Sequence, residues 1–173
     1  MLAYVFAHRP GPGADVGAYE GALRELHATL AAESPAGFIR SSTYRIGGGY
    51  SDWYLVENSA ALDPLNLAAV TGSRSRPHDA VAQVAVDGAG KLMTLVTGDL
   101  DMCAAHEVRF SKPAGTAYAD LFQWLKTMTG APGVSVWRRM MVLGPPPEFS
   151  LISRSPLTLP ADMRPESLAR QIV

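Results

Sequence analysis

Residues 37–64, "GFIRSSTYRIGGGYSDWYLVENSAALDP", and residues 133–160, "GVSVWRRMMVLGPPPEFSLISRSPLTLP", share one outline. Each opens on a glycine and runs through an extended segment to a Gly- or Pro-rich turn. A second extended segment follows, and each stretch closes on a proline. They align without a gap at a constant offset of 96 positions, which pairs Gly37 with Gly133, Gly48 with Gly144, Leu55 with Leu151, Ser59 with Ser155 and Pro64 with Pro160. Trp53 pairs with Phe149, Asp52 with Glu148, Val56 with Ile152 and Ile46 with Val142, so chemical type is kept there too. One structural unit used twice is the first expectation. A single α+β domain with two similar hairpins is the alternative.

Reading outward from the first stretch, "AYVFAHRP" (3–10) is a short β-forming run stopped by Pro10. Residues 15–32 carry Val16, Tyr19, Leu23, Leu26 and Leu30 at helical spacing, with Asp15 as the N-cap. Strands at 38–46 and 52–57 are joined by "GGGYS" as a hairpin. "ALDPLNLAAV" and "PHDAVAQVAV" read as helical, and "KLMTLVTG" (91–98) as the fourth strand. The order is β-α-β-β-α-β, the ferredoxin-like unit. The second half restarts with a strand at 106–113 and a helix at 116–130 whose face is Tyr118, Leu121, Phe122, Leu125 and Met128. Strands at 134–143 and 148–153 follow, then a short helix near 165–171. The expected domains are 1–99 and 106–173, with 100–105 as linker and the second repeat shorter, lacking a clear last strand.

The fold class expected is therefore α+β, with two fused ferredoxin-like repeats packed sheet to sheet. The physical motive is that a four-stranded sheet with helices on one face leaves its other face bare, and two such units can cover each other. With "YVFAHRP", the histidine-bearing "YEGALRELHATL" and "GFIRSSTYRI", the chain resembles the dimeric α/β-barrel superfamily in its EthD-like and antibiotic-biosynthesis-monooxygenase-like branches. That resemblance covers roughly residues 3–98 and, more weakly, 106–173. It implies a small-molecule enzyme acting without a bound organic cofactor on an apolar, aromatic or polyketide-like ligand, as an oxygenase or isomerase. A non-catalytic ligand-binding or assembly module and a haem-binding protein are the rival readings.

Composition sets the bounds. Hydrophobic residues make up 47 % and charged residues 18 % of the 173, enough for a sizeable core. The net charge is −1, with no basic stripe, which argues against nucleic acid and anionic membrane as partners. A single cysteine, Cys103, excludes an intrachain disulfide and a Cys-rich zinc site. The apolar start is too short for a signal peptide, so a soluble cytoplasmic protein is expected. A small-molecule ligand is the expected partner, and a homodimer the assembly to test.

Strand alternation supplies the candidate site. Tyr4, Phe6 and His8 share one face of the first strand, and Ala3, Val5 and Ala7 the other. The small set suits the face beneath the helices, which would send Tyr4, Phe6 and His8 to the interior between the sheets. The first and third strands are antiparallel neighbours in this fold, so His8 should lie near Asp52 and Tyr54. A histidine–carboxylate pair among aromatics can serve as a general base, with His8 the base and Asp52 its orienter. Tyr4 and Tyr54 would face the ligand, and Arg40, four residues before Tyr44, would bind an anionic group. His27 borders the buried helix stripe, and the resemblance adds interest to it as a ligand contact. Each of these has a structural alternative: a strand-end histidine for His8, a satisfied semi-buried one for His27 and a surface cross-strand pair for Arg40. His78 reads as exposed and inert, and His106 as the start of the second repeat. Glu107 and Arg109 align in face with Tyr4 and Phe6 and suggest a polar cavity or wet interface. The four histidines show no metal-binding spacing, so no metal is expected, and His8 or His27 would be the axial ligand of any haem. "GGGYS" does not open a helix and is no phosphate loop.

Overall fold

A computed structural model describes residues 1–141 and 143–173. Val142, aligned above with Ile46, lies outside the described residues. The chain forms two compact units, Met1–Gly90 with Ile172–Val173, and Lys91–Gln171.

The first unit begins with β1 (Leu2–Pro10) and α1 (Val16–Ala32). Asp15 starts the helix because its carboxylate accepts the otherwise unpaired amides of Gly17 and Ala18, at 2.9 and 3.1 Å. The buried face of α1 is Tyr19, Glu20, Leu23, Leu26, His27 and Leu30, whereas Val16, at the start of the expected stripe, is exposed. β2 (Phe38–Ile46) and β3 (Gly49–Val56) form a hairpin whose two turn residues, Gly47 and Gly48, have φ of 58° and 79°. Only glycine takes two successive positive φ values cheaply, and that turn matches the strand twist. The third strand thus starts three residues earlier than expected. Helices α2 (Leu62–Ala69) and α3 (Ser75–Ala82) follow. β4 (Ala85–Gly98) starts well before the expected 91–98, because Ala85 and Val86, read as the helix end, are already extended. In this unit the first half of β4 lies beside β1, then come β3 and β2, and the C-terminal β9 (Gln171–Ile172) flanks β2. The ferredoxin-like order 4-1-3-2 results, with β1 and β2 both antiparallel to β3.

The second unit contains β5 (His106–Phe110), α4 (Tyr118–Met128), β6 (Ser135–Arg139), β7 (Phe149–Ser153) and β8 (Glu166–Ala169). The helix expected at 165–171 is strand instead. Glu166–Ala169 pairs antiparallel with β5, because only an extended chain offers that strand's free edge a hydrogen-bond ladder. The order β8-β5-β7-β6 is again 4-1-3-2 in local count. The core packs Val108, Phe110, Leu121, Leu125, Val136, Phe149 and Leu151 between the sheet and α4.

The shared strand order does not extend to the gapless alignment. Phe149 faces α4, with its ring edge-on to Phe122. Its aligned partner Trp53 alternates with Asp52 and Tyr54, which face α1, and so lies on the opposite face of its sheet. A register slip of one residue moves every side chain across a sheet, so the true correspondence is off by one here. The same inversion separates Glu107 and Arg109 from Tyr4 and Phe6. The acid and base alternate with Val108 and Phe110, on the face away from α4, where Arg109 Nε donates to Glu107 Oε1 at 2.8 Å. Burial first, and then the nearby Arg109 charge, push the Lys91 ammonium down to about 8.

Candidate functional site

The functional candidates gather between the sheet of the first unit and its helices. β1 contributes Tyr4, Phe6 and His8, β3 contributes Tyr50, Asp52 and Tyr54, and β2 contributes Ser41, Thr43 and Arg45. The register places Tyr4 opposite Tyr54, Phe6 opposite Asp52 and His8 opposite Tyr50. From α1, Tyr19, Glu20 and His27 reach down onto these strands.

This corrects the expected direction. Tyr4, Phe6 and His8 face their own unit's helices, not an interior between sheets. His8 Nδ1 shares a 2.5 Å hydrogen bond with the Tyr19 hydroxyl of α1, and His8 stacks on Tyr50. The alternation was right, but the small residues of β1 take the far face. The helices stand off the sheet far enough to leave a cavity, which large aromatic side chains wall.

Asp52 is the hub, buried with 3 % of its surface exposed. Its Oδ1 accepts the Thr43 hydroxyl at 2.6 Å, and its Oδ2 accepts the Tyr54 hydroxyl at 3.1 Å. His8 Nε2 stands 3.2 Å from Oδ1, close enough for charge attraction but off the line of a hydrogen bond. His27 Nε2 is 3.7 Å from the same oxygen and 2.7 Å from Thr43 Oγ1, while its Nδ1 meets Ser41 Oγ at 2.6 Å. Because Thr43 donates to Asp52, it accepts from His27 Nε2–H, which fixes that tautomer. Burial alone would raise the Asp52 carboxyl, but the His27 and His8 contacts outweigh it and hold the group well below the usual carboxylate range. Burial, and next the Asp52 charge, push the phenols of Tyr4, Tyr19 and Tyr54 upward, so all three stay protonated donors.

A second cluster caps this layer. Glu20 Oε1 accepts Tyr50 OH at 2.7 Å and Arg45 Nε at 2.8 Å. The Tyr50 bond, acting against burial and joined by Arg45, lowers the Glu20 carboxyl.

The cavity has a volume of about 640 Å³. Tyr4, Phe6, Asp52 and Tyr54 form its floor, with Leu26 of α1 beside them. Leu62, Leu65, Asn66 and Ala69 of α2 and His78, Val81 and Ala82 of α3 line the rest. Two glycines of β4 make room for its aromatics. A Cβ on Gly88 would lie 2.8 Å from Phe6 Cζ, and one on Gly90 2.7 Å from the Tyr4 hydroxyl. In Gly88→Ala only the tip of the Phe6 ring has to move. Stability is expected to stay within about 1 kcal/mol of wild type, the range of compatible Gly→Ala changes. The ring turns into the cavity, however, so affinity for a planar probe such as 1-naphthol should fall. Paired urea denaturation and fluorescence titration check both halves.

The candidate residues thus divide. Tyr4, Asp52 and Tyr54 reach the cavity. His8 and His27 sit behind them, among the groups that hold Asp52. Arg40 does not belong: it pairs with Leu55, alternates with Ser41 and Thr43, and lies exposed on the opposite face. His78, read as inert, lines the cavity with its Nδ1 3.2 Å from Asp79. Thr43, Ser41 and Tyr19 were missed. Their only sequence signal was that 41 and 43 alternate on one strand face, and that Tyr19 stands eight residues before His27 on the helix face. Neither His8 nor His27 lines the cavity, and the two ring nitrogens of His27 both meet side-chain hydroxyls, so neither is placed as the axial ligand of a haem there. Among the described residues, no three metal-ligating side chains converge, and no helix is long and apolar enough to cross a membrane.

No protein-family model and no curated protein matches the sequence. Solved structures do match the fold. One, provisionally assigned as a chlorite dismutase, is 14 % identical with a TM-score of 0.59, over 99 % of this chain and 94 % of that one. Another, provisionally assigned as a monooxygenase from Lactobacillus acidophilus, is 11 % identical with a TM-score of 0.57, over 87 % of this chain and 74 % of that one. A dimeric protein of unknown function and ferredoxin-like fold from Bacteroides fragilis scores 0.38, too low to bear on the fold. At these identities the likeness concerns fold alone, an α+β fold with ferredoxin-like strand order.

Proposed function

We propose that this chain is a small-molecule enzyme of the dimeric α/β-barrel type, an oxygenase or isomerase that acts without a bound organic cofactor on an apolar, aromatic ligand. The observation that carries this reading is a buried, ionised carboxylate, Asp52, in the wall of a largely apolar 640 Å³ cavity. An apolar pocket with a few convergent polar groups is the usual form of a small-molecule site. The two repeats are proposed to descend from one duplicated unit, a view supported by their common 4-1-3-2 strand order.

Asp52 is the acceptor for the ligand's acidic proton. Once the proton has reached Asp52, the Tyr54 hydroxyl, which rests on Asp52 Oδ2, turns its one hydrogen to the oxygen on which negative charge develops. An isomerisation then needs only the return of that proton at another carbon, whereas an oxygenation consumes dioxygen as the oxidant. The lowered pKa makes Asp52 a weak base, in its accepting form near neutrality and suited to ligands with activated C–H or O–H bonds. His8, Thr43 and His27 position it. The cytoplasm is proposed as its location.

Deuterium exchange at the α-carbons of 2-tetralone, an enolisable aromatic ketone, tests the catalytic role. Wild type should accelerate exchange over Asp52→Asn by about 10²-fold, the lower end for a positioned general base. Equal rates in the two proteins would leave a ligand-binding module and remove the enzyme.

A further inference from the structure

We infer that the cavity of the first unit selects ligands whose aromatic or apolar body carries a cationic nitrogen, with Asp52 reading the charge. The inference rests on the cavity being a ligand site and adds the ligand's charge class.

The charged side chains of the wall are Asp52 and Asp63, and no lysine or arginine is among the described lining residues. The groups around Asp52 are hydroxyls and the imidazoles of His8 and His27, which carry charge only when protonated, so no lysine or arginine holds it in a fixed ion pair. Asp52 Oδ2 takes one hydrogen bond, from Tyr54, and a carboxylate oxygen has room for a second. The space beside it is bounded by aromatic rings. Tyr4 lies 6.1 Å from Tyr54 and 6.3 Å from Phe6, centroid to centroid. Such rings attract a cation toward their faces, and the desolvated setting strengthens that attraction. An anionic ligand would meet the same carboxylate without a countercharge, at a repulsion that the low dielectric of a buried site enlarges. Acidic ligands, phosphate esters among them, are therefore excluded, and a neutral ligand leaves the carboxylate one partner short.

Three probes of one shape decide it: 2-naphthylmethylammonium, 2-naphthylmethanol and 2-naphthoate, titrated calorimetrically into the full chain. The ammonium should bind at least about tenfold tighter than the alcohol, and the carboxylate weakest. In Asp52→Asn the ammonium should lose that advantage while the alcohol still binds. Equal binding of ammonium and alcohol by wild type, or tightest binding of 2-naphthoate, overturns the inference. If the alcohol then binds and weakens in Gly88→Ala, the cavity stands as a ligand site and only the charge class falls. If none of the three binds, both readings fall. The wild-type ranking decides the matter even should Asp52→Asn fail to fold.

Discussion

Asp52→Ala is expected to destabilise the first unit by about 3–5 kcal/mol, the cost of removing one partner from a buried charged cluster. The substitution strips the acceptor from Thr43 and Tyr54 and leaves His8 and His27 without the carboxylate beside them. Thr43, His8 and His27 lie behind the cavity wall, and a donor left unpaired there adds its own desolvation penalty. Asp52→Asn keeps the shape and one acceptor oxygen and should cost less. It also separates charge from packing through pH. A carboxyl held below its unfolded value binds fewer protons folded than unfolded, so its contribution is complete above about pH 5 and is lost as the pH falls toward its lower folded value. Urea denaturation of wild type and Asp52→Asn at pH 7, 5, 4 and 3 should therefore show the gap between them closing on the acid side. A gap that stays constant to pH 3 would mean that the ionised carboxylate does not stabilise this layer.

Phe149→Ala should cost the second unit about 4 kcal/mol, within the range for a fully buried phenylalanine. Phe149 has no exposed surface and stands on β7, between β5 and β6. Its ring stacks on Phe110 at 5.0 Å and meets Phe122 edge-on at 6.3 Å. Its removal opens a cavity under α4 where neighbours on three strands and one helix cannot all collapse inward. Phe122→Ala, at a partly buried position of the same cluster, should cost clearly less. Equilibrium unfolding of both variants tests the ranking, and a loss below about 2 kcal/mol at Phe149 would contradict the packing described.

Both effects depend on the side of the sheet that a residue occupies, and here sequence and structure part. The gapless alignment over 37–64 and 133–160 put Trp53 with Phe149. The units share a strand order, yet these two side chains lie on opposite faces. Turn lengths cause the mismatch: Gly47 and Gly48 close the first hairpin tightly, whereas nine residues, 140–148, separate β6 from β7 in the second. The helix read near 165–171 failed for a related reason. "PESLARQIV" has no strong period of its own, and its strand conformation comes from the free edge of β5, which is distant in sequence. Arg40 was assigned to the site on its spacing to Tyr44; both do share a face, the one without the cavity.

Local chemistry in the sequence determined the element order of the first unit, the glycine hairpin, the Asp15 cap and the sets Tyr4–Phe6–His8 and Asp52–Tyr54. Antiparallel pairing of the first and third strands then sufficed to bring His8 near Asp52. Tertiary structure alone decided which face the helices cover, that Asp52 and not His8 reaches the cavity, and that Thr43, His27 and Tyr19 complete the cluster. The physical reason is symmetry. A period of two separates the side chains of a strand into two sets but carries no mark of inside or outside. That mark comes only when α1 brings Tyr19 and His27 down onto one of them.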